Sequence, residues 1–281
     1  MNFIPGVIPP RGEKNTSALW FVFRGNELLV EWHGDMAALP SSEEGIAKGL
    51  KPIRPQFIGT LTGHHCYTAE WDSKEVTIDG MAFAGLRELF GRIEDDVYRV
   101  AIRAIHMVTW NQNHQFCGRC GTPTVNDKQE LAKCCPKCDL KNYPRISPAI
   151  IVAVVKEDKL LLARAHRFPT AMYSVLAGFV EPGETLEECV IREVREETGI
   201  EVKDITYFGS QPWPFPDSLM VAFTTTYAGG EICIEKNEIA HADWFSAHNL
   251  PKIPGKLSIA RELIDWFIER HQRSRPSAAT K

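Results

Sequence analysis

Hydrophobic and polar positions alternate in clear blocks along this chain. Leu19-Trp-Phe-Val-Phe23 and Leu28-Leu-Val-Glu-Trp32 flank Arg24-Gly25-Asn26-Glu27, a pattern that predicts a β-hairpin turning at Gly-Asn. Phe57 to Trp71 and Val76 to Asp79 extend the β structure, and Met81 to Phe90 reads as a short helix. From about Asp95 to Trp110, Val97, Val100, Ala101, Ala104, Ile105, Val108 and Trp110 recur at helical spacing, and Asn111-Gln-Asn-His-Gln ends that helix. After Pro148 the pattern becomes Ala149-Ile-Ile-Val-Ala-Val-Val155, a turn at Glu157-Asp158, and Lys159-Leu-Leu-Leu-Ala163, two buried strands in a hairpin. Strands follow at Ile205 to Phe208 and Leu219 to Tyr227, and Gly229-Gly230 then turns the chain into a strand at Glu231 to Glu235. Lys256 to His271 closes as an amphipathic helix carrying Ile259, Leu263, Trp266 and Phe267.

The segment between the second hairpin and the Ile205 strand breaks this order in an informative way. Counting from Leu186 at about 100° per residue, Cys189 and Val190 build an apolar stripe, and Glu193 and Glu197 fall within roughly 20° of Leu186 on the same stripe. A solvated acidic face would lie opposite Leu186 and Val190. Carboxylates directed inward must instead be neutralised, protonated or metal-bound, and this arrangement behind a glycine turn calls for a divalent cation.

The residues concerned are Gly178, five residues, Glu184, seven residues, Arg192-Glu193, the aliphatic Val194, one residue, Glu196-Glu197, one residue, Gly199 and the aliphatic Ile200. In these nine positions the chain resembles the Nudix box. The resemblance implies a hydrolase of nucleoside diphosphates joined to a second group, using Mg²⁺ or Mn²⁺ held by oxygen ligands. Such an ion polarises the pyrophosphate and activates water. Glu193 and Glu197, one helical turn apart, would share the metal site, with Glu196 beside them as another ligand or base. Arg192 lies at i,i+4 spacing from both Glu188 and Glu196, which suits it to orient and neutralise neighbouring carboxylates.

A second cluster, Cys117-Gly-Arg-Cys120 and, after fourteen residues, Cys135-Pro-Lys-Cys138, reads as a closed Cys₄ zinc ribbon, a structural rather than a catalytic site. Disulfides are the structural alternative. The opening Met-Asn-Phe-Ile-Pro-Gly shows no charged leader before a hydrophobic region, and four further cysteines are scattered, so an oxidising compartment is not expected. Cys134 could begin a Cys-x-x-x-Cys with Cys138, but the spacing that mirrors the first knuckle selects Cys135. Cys66, Cys189 and Cys233 read as packed thiols.

Composition narrows the function classes. The chain has 281 residues and a net charge of −4, with a sequence pI near 6.2. Apart from the short tail Arg270 to Arg275 no run of basic residues appears, which argues against tight, sequence-blind polyanion binding. No apolar stretch approaches a membrane span, so no membrane partner is expected and the cytoplasm is the expected location.

Beyond the box lies Ser210-Gln-Pro-Trp-Pro-Phe-Pro-Asp-Ser218, in which alternating prolines would hold Trp213 and Phe215 on a stiff extended segment, either as stacking walls for bases or as a connecting loop packed on the core. This segment, with the box and the ribbon in the same order, resembles the NADH pyrophosphatase subfamily of the Nudix hydrolases, also described as NAD-cap RNA hydrolases, over about residues 114 to 272. The resemblance implies an α/β/α sandwich, and the fold expected is α/β, a Nudix sandwich with a Cys₄ zinc ribbon and a separate N-terminal α+β domain. The expected division is an N-terminal domain at 1–113, the ribbon at 114–145, the Nudix domain at 146–272 and a flexible tail at 273–281.

Carried onto this chain, the resemblance assigns the Mg²⁺ or Mn²⁺ to Glu193, Glu197, Glu238 and the carbonyl of Ala177. Catalysis falls to Arg192, Glu193, Glu196 and Glu197. Tyr143 and Phe179 would flank the nicotinamide ring. Gln211, Pro212, Trp213, Pro214, Phe215, Pro216, Asp217 and Ser218 would shape the pocket, with Ala260 touching the substrate. Family members are homodimers, in which Tyr143 would serve the partner's site. The expected reaction is hydrolysis of NAD(H) to AMP and nicotinamide mononucleotide, with removal of the NAD cap from RNA. A broader hydrolase of ADP-ribose or other dinucleotides and a non-catalytic nucleotide sensor are the alternatives, the second disfavoured because every box carboxylate is present.

Overall fold

The computed structural model describes residues 2–10, 18–40, 52–71, 80–166 and 171–272. Internal packing divides the chain into two units, Met1–Arg145 and Ile146–Lys281.

The first unit contains a seven-stranded sheet. Its hairpin pairs β2 (Leu19–Arg24) with β3 (Glu27–His33) through Phe23↔Leu28 and Arg24↔Glu27. Gly25 takes the left-handed backbone of this two-residue turn at φ 59°. With β1 (Phe3–Pro5), β4 (Met36–Ala38), β5 (Ile53–Leu61) and β6 (His64–Glu70), the order is β1-β5-β6-β2-β3-β4, and β7 (Met81–Gly85) also pairs with β3. Met81 to Phe90 is therefore not one helix: only α1 (Leu86–Leu89) is helical. The pairing Val30↔Ala82 shows why, since the apolar run found a strand to bond to, and a run this short has no periodicity that separates the two outcomes. Val76 to Asp79 and the tail at 273–281 lie outside the described residues.

Helix α2 (Asp95–Asn113) runs three residues beyond Trp110 and buries Val100, Ala101, Ala104, Ile105, Val108 and Trp110 as the spacing predicts. Thr68 of β6 fixes it to the sheet, its hydroxyl lying 3.2 Å from the Ala104 carbonyl and 3.3 Å from that of Phe21. A small antiparallel sheet of order β10-β9-β8 follows, made of β8 (Val125–Asn126), β9 (Lys133–Cys134) and β10 (Lys141–Asn142).

The second unit is an α/β/α sandwich. Its sheet has the order β14-β15-β11-β12-β16, formed by β11 (Ser147–Lys156), β12 (Lys159–Ala165), β14 (Glu201–Trp213), β15 (Ser218–Gly229) and β16 (Ile239–Ser246), with β13 (Leu176–Phe179) paired to β11. Strand β11 is apolar on both sides because both are covered. Ile150, Val152 and Val154 pack with Cys189, Val190 and Val194 of α3 (Leu186–Thr198). Ile151 and Ala153 pack with Ile259, Leu263, Ile264 and Phe267 of α4 (Ile259–Gln272). Among the described residues no helix is long and apolar enough to cross a membrane.

Two expectations for this unit fail for physical reasons. Glu231 to Glu235 is not a strand. Instead Cys233 N–H donates to the Thr198 carbonyl at 2.8 Å and Glu235 N–H to the Glu197 carbonyl at 3.1 Å, satisfying orphan acceptors at the end of α3. The proline-rich segment is extended only as far as Trp213, and residues 214–217 form a hairpin turn. Strand β14 continues to Trp213, which pairs with Ser218, and the turn between them contains a cis Phe215–Pro216 bond.

Phe267 is fully buried on the α4 face. Phe267→Ala is expected to destabilise this unit by about 3–5 kcal/mol, the usual cost of emptying an aromatic core position. Denaturant unfolding with hydrogen exchange of the β11 amides measures it.

Candidate functional site

Strand β13 ends in Gly178-Phe179, and the chain turns through Glu181 to Glu184 into α3. The helix begins with a capping box. The Thr185 hydroxyl accepts from Glu188 N–H at 3.2 Å, and the Glu188 carboxylate accepts from Thr185 N–H at 2.8 Å. Glu188 is thus occupied with the cap and is not the partner of Arg192 that i,i+4 spacing suggested. The Thr-x-x-Glu pattern was readable in the sequence.

Arg192 turns to Glu184 instead. Its Nε and Nη2 donate to the two oxygens of Glu184 at 2.7 and 2.9 Å, a bidentate pair. Nη1 reaches Glu193 at 2.9 Å and Glu196 at 3.2 Å, and Nη2 also donates to the Phe179 carbonyl at 2.9 Å. One guanidinium therefore joins the glycine loop to three acids. Glu184 also accepts from Glu181 N–H at 3.0 Å. Arg192 first, and then this backbone bond, hold its carboxyl at a pKa of about 2.

The inward phase of Glu193 and Glu197 is observed. Glu197 is 9 % exposed. Glu193 stands over Gly178 so closely that a Cβ there would collide with its carboxyl carbon and both oxygens. Burial pushes the Glu193 carboxyl above the usual range; the charges of Glu196 and Glu238 push the same way, while Arg192 opposes them. Glu196 is largely exposed. Glu238 is exposed immediately before β16, and Ala177 precedes Gly178 in β13, opposite Ile151. These oxygen donors repel one another, are partly buried, and include two acids in the last turn of α3, where the helix dipole disfavours negative charge. Such a donor set has the oxygen chemistry of a hard divalent cation, although among the described residues only the four ribbon cysteines form a group of three or more whose ligand atoms lie within 4.8 Å of one another.

The remaining candidates divide by exposure. Phe179 is 58 % exposed at the mouth of the loop. Tyr143, in the first unit, is also exposed, and its hydroxyl donates to Glu130 at 2.6 Å. Gln211 is committed to the fold: its amide donates to the Leu257 carbonyl at 2.8 Å and accepts from Ile259 N–H at 2.8 Å, clamping the start of α4. In the hairpin tip, the Trp213 and Phe215 rings meet edge-on at 5.3 Å. Pro212 and Pro216 are exposed, Pro214 and Ser218 are buried, and the Asp217 carbonyl accepts from Ser147 N–H. Ala260 is buried among Ile259, Leu263 and the sheet, so its side chain faces the core.

In the ribbon the sulfurs of Cys117, Cys120, Cys135 and Cys138 lie within 4.8 Å of one another. The closest pairs are at 3.5, 3.6 and 3.7 Å. Disulfide sulfurs would be about 2.05 Å apart, whereas tetrahedral zinc with bonds of about 2.3 Å spaces them by roughly 3.8 Å. Each Cys-x-x-Cys ends in a tight turn, Gly121 N–H to Cys117 O and Asp139 N–H to Cys135 O, with φ of 71° and 57° at the closing residues. Cys134 stands outside the cluster, its thiol 3.2 Å from the Asp127 carboxylate. The four thiols fit a closed structural Zn²⁺ site. Cys66 and Cys189 are buried as expected, but Cys233 is exposed, because its segment follows the end of α3 instead of entering a sheet.

This constellation, an acid-bearing helix behind a glycine loop together with a four-cysteine ribbon, defines a class that comparison with known proteins identifies. Three family models match consecutive parts of the chain. They are a NADH pyrophosphatase-like rudimentary NUDIX domain at residues 17–110, a NADH pyrophosphatase zinc ribbon domain at 112–143 and a NUDIX domain at 145–267. The chain belongs to the Nudix family, in the branch that joins such an N-terminal domain and ribbon to the hydrolase domain. A protein of Pseudomonas entomophila named NAD-capped RNA hydrolase NudC is 50 % identical over 259 residues, 92 % of either chain. Its namesake in Pseudomonas fluorescens is 47 % identical over 251 residues, 89 % of this chain and 90 % of that one. Among solved structures, a NUDIX hydrolase of Nitrosomonas europaea aligns with a TM-score of 0.49 at 20 % identity, covering 58 % of this chain and 94 % of that one.

Two expectations follow. Cys135→Ser should release the bound zinc and loosen the ribbon while Cys134→Ser does neither, as metal analysis of the purified variants will show. Gly178→Ala should retain the fold but displace Glu193, and a displacement of about 1 Å at such a site costs on the order of 10²-fold in turnover. Circular dichroism beside steady-state kinetics separates the two effects.

Proposed function

We propose that this chain hydrolyses the pyrophosphate bond of NAD(H) to AMP and nicotinamide mononucleotide and cleaves the same bond at the 5′ end of NAD-capped RNA. The observation that carries the reading is the acidic set of this helix and loop: Glu193 seated on Gly178, Glu197 buried one helical turn further on, and Arg192 tying Glu184, Glu193 and Glu196 to the loop. A protein that only sensed a nucleotide would have no need to bury repelling acids. The relatives named NAD-capped RNA hydrolase match this chain over about nine-tenths of its length and so support the choice of substrate.

Glu193, Glu197 and Glu238, with the Ala177 carbonyl, would hold Mg²⁺ or Mn²⁺. That ion supplies charge neutralisation at the pyrophosphate and a water of lowered pKa. Glu196, exposed and within 3.2 Å of Arg192, would take a proton from the attacking water. Arg192 bridges Glu184, Glu193 and Glu196 and so fixes their positions, and Gly178 leaves the space that the Glu193 carboxylate occupies. Phe179 offers its face to the nicotinamide end of the substrate. A cytoplasmic homodimer belongs to the same reading.

The test is a turnover panel of NADH, NAD⁺, ADP-ribose, FAD and NAD-capped RNA under Mg²⁺ and Mn²⁺, with products separated by chromatography. NADH, NAD⁺ or capped RNA should lead it, and ADP-ribose turned over fastest would overturn the proposed substrate. Phe179→Ala removes stacking worth about 1–3 kcal/mol, so KM for NADH should rise roughly 5- to 150-fold with kcat little changed. Hydrolysis of ADP-ribose, which lacks the nicotinamide, should be affected much less.

A further inference from the structure

Between β15 and β16 the chain has no regular structure, yet it is bonded to two other elements. On one side, the N–H groups of Cys233 and Glu235 donate to the carbonyls of Thr198 and Glu197, at the end of α3. On the other, His166 after β12 donates its backbone N–H to the Glu238 carbonyl at 3.0 Å, and its ring Nε2 lies 3.1 Å from the Lys236 carbonyl.

Glu235 stands between these anchors. One carboxylate oxygen accepts from the backbone N–H groups of Asn237 and Glu238, both at 2.9 Å, and the other accepts from the Asn237 side-chain amide at 2.7 Å. Its carbonyl accepts from Ile239 N–H at 2.9 Å, at the first residue of β16. One residue thus holds the backbone of Glu197 through its amide and that of Glu238 through its carboxylate. Bonds to an ionised acceptor are roughly twice as strong as neutral ones, and here three converge on one side chain.

We propose that Glu235 is a positioning residue for the divalent-cation site, fixing the loop acid Glu238 at a set separation from the helix acid Glu197. The inference rests on the reading that both of those acids serve the cation. Without the Glu235 carboxylate, the residues from Lys236 to Glu238 would keep the bonds from His166 but lose those to the Asn237 and Glu238 N–H groups, and the cation would have to supply the missing order, an entropic cost that would appear as weaker binding. A residue that merely stabilised the turn would change thermal stability and leave cation affinity alone.

The experiment titrates zinc-loaded, full-length protein with Mn²⁺ alone and follows free Mn²⁺ by electron paramagnetic resonance, with Tm recorded for each variant. Glu235→Ala is expected to weaken Mn²⁺ binding about 10- to 100-fold, the usual consequence of removing a residue that orients a ligand. Glu235→Gln keeps the side-chain length and one accepting oxygen, so it should fall between wild type and Glu235→Ala, and it carries the test if the alanine variant does not fold. Wild-type affinity in the Glu235 variants, with Glu238→Gln weakened, would overturn the proposal and leave the reading of the cation site intact. Wild-type affinity in Glu238→Gln would overturn that reading and the proposal with it.

Discussion

Helix α3 must satisfy two demands along one stripe. Cys189, Val190 and Val194 seat it on the sheet, and Glu193 and Glu197 continue the same seam. Carboxylates taken out of water cost several kcal/mol each unless they are matched, so the surrounding residues are arranged to match them. Arg192 neutralises from one side, Gly178 removes the side chain that would occupy the space of Glu193, and the capping box together with Gly199 in the left-handed conformation sets where the helix begins and ends. Changing the register of the helix by one residue would move the acids about 100° away from the loop.

This arrangement also explains why a single arginine carries so many bonds. Surface ion pairs contribute little because both partners are well hydrated and must be ordered. Arg192 and Glu184 are both mostly covered, and their two parallel bonds fix the geometry as well as the charge. Glu184 in turn is bonded to the backbone of Glu181, so the loop is closed on itself before any substrate arrives. The loop's exposed face is left to Phe179, whose carbonyl is held by Arg192 while its ring stays free.

What could be read from the sequence follows from the range of the forces involved. The β11–β12 hairpin, α2, the inward phase of the acids and the choice of Cys135 over Cys134 all rest on local spacing, and the structure shows each of them. Misreadings arose where a distant partner decided the outcome. Met81 to Gly85 became a strand because β3 offered an edge, and Glu231 to Glu235 left the sheet because α3 offered unpaired carbonyls. Of the two Arg192 partners that helical spacing suggested, Glu196 is observed and Glu188 is not, for a different reason. Helical spacing pointed to Glu188, but the cap claimed that carboxylate first, and Glu184, which lies in the loop and outside the helical count, was the better match. Gln211, in the proline-aromatic run, bonds through both ends of its amide to the backbone of Leu257 and Ile259 at the start of α4.

The ribbon site and the proposed cation site place opposite requirements on the chain. Four ribbon thiols leave no open position, so their cation can only hold local structure, and two short knuckles with tight turns suffice to build the site. A cation that must meet a pyrophosphate needs open positions, and fewer protein ligands then have to be placed more accurately. In the proposed site two of the three carboxylate ligands ride on a rigid helix, while the third comes from a segment with no regular structure. A loop ligand has the accuracy of a helical one only if its backbone is restrained as firmly as a helix restrains its own. The bonds from Glu235 and His166 supply that restraint from both sides of Glu238, anchored to the same turn of α3 that carries Glu197.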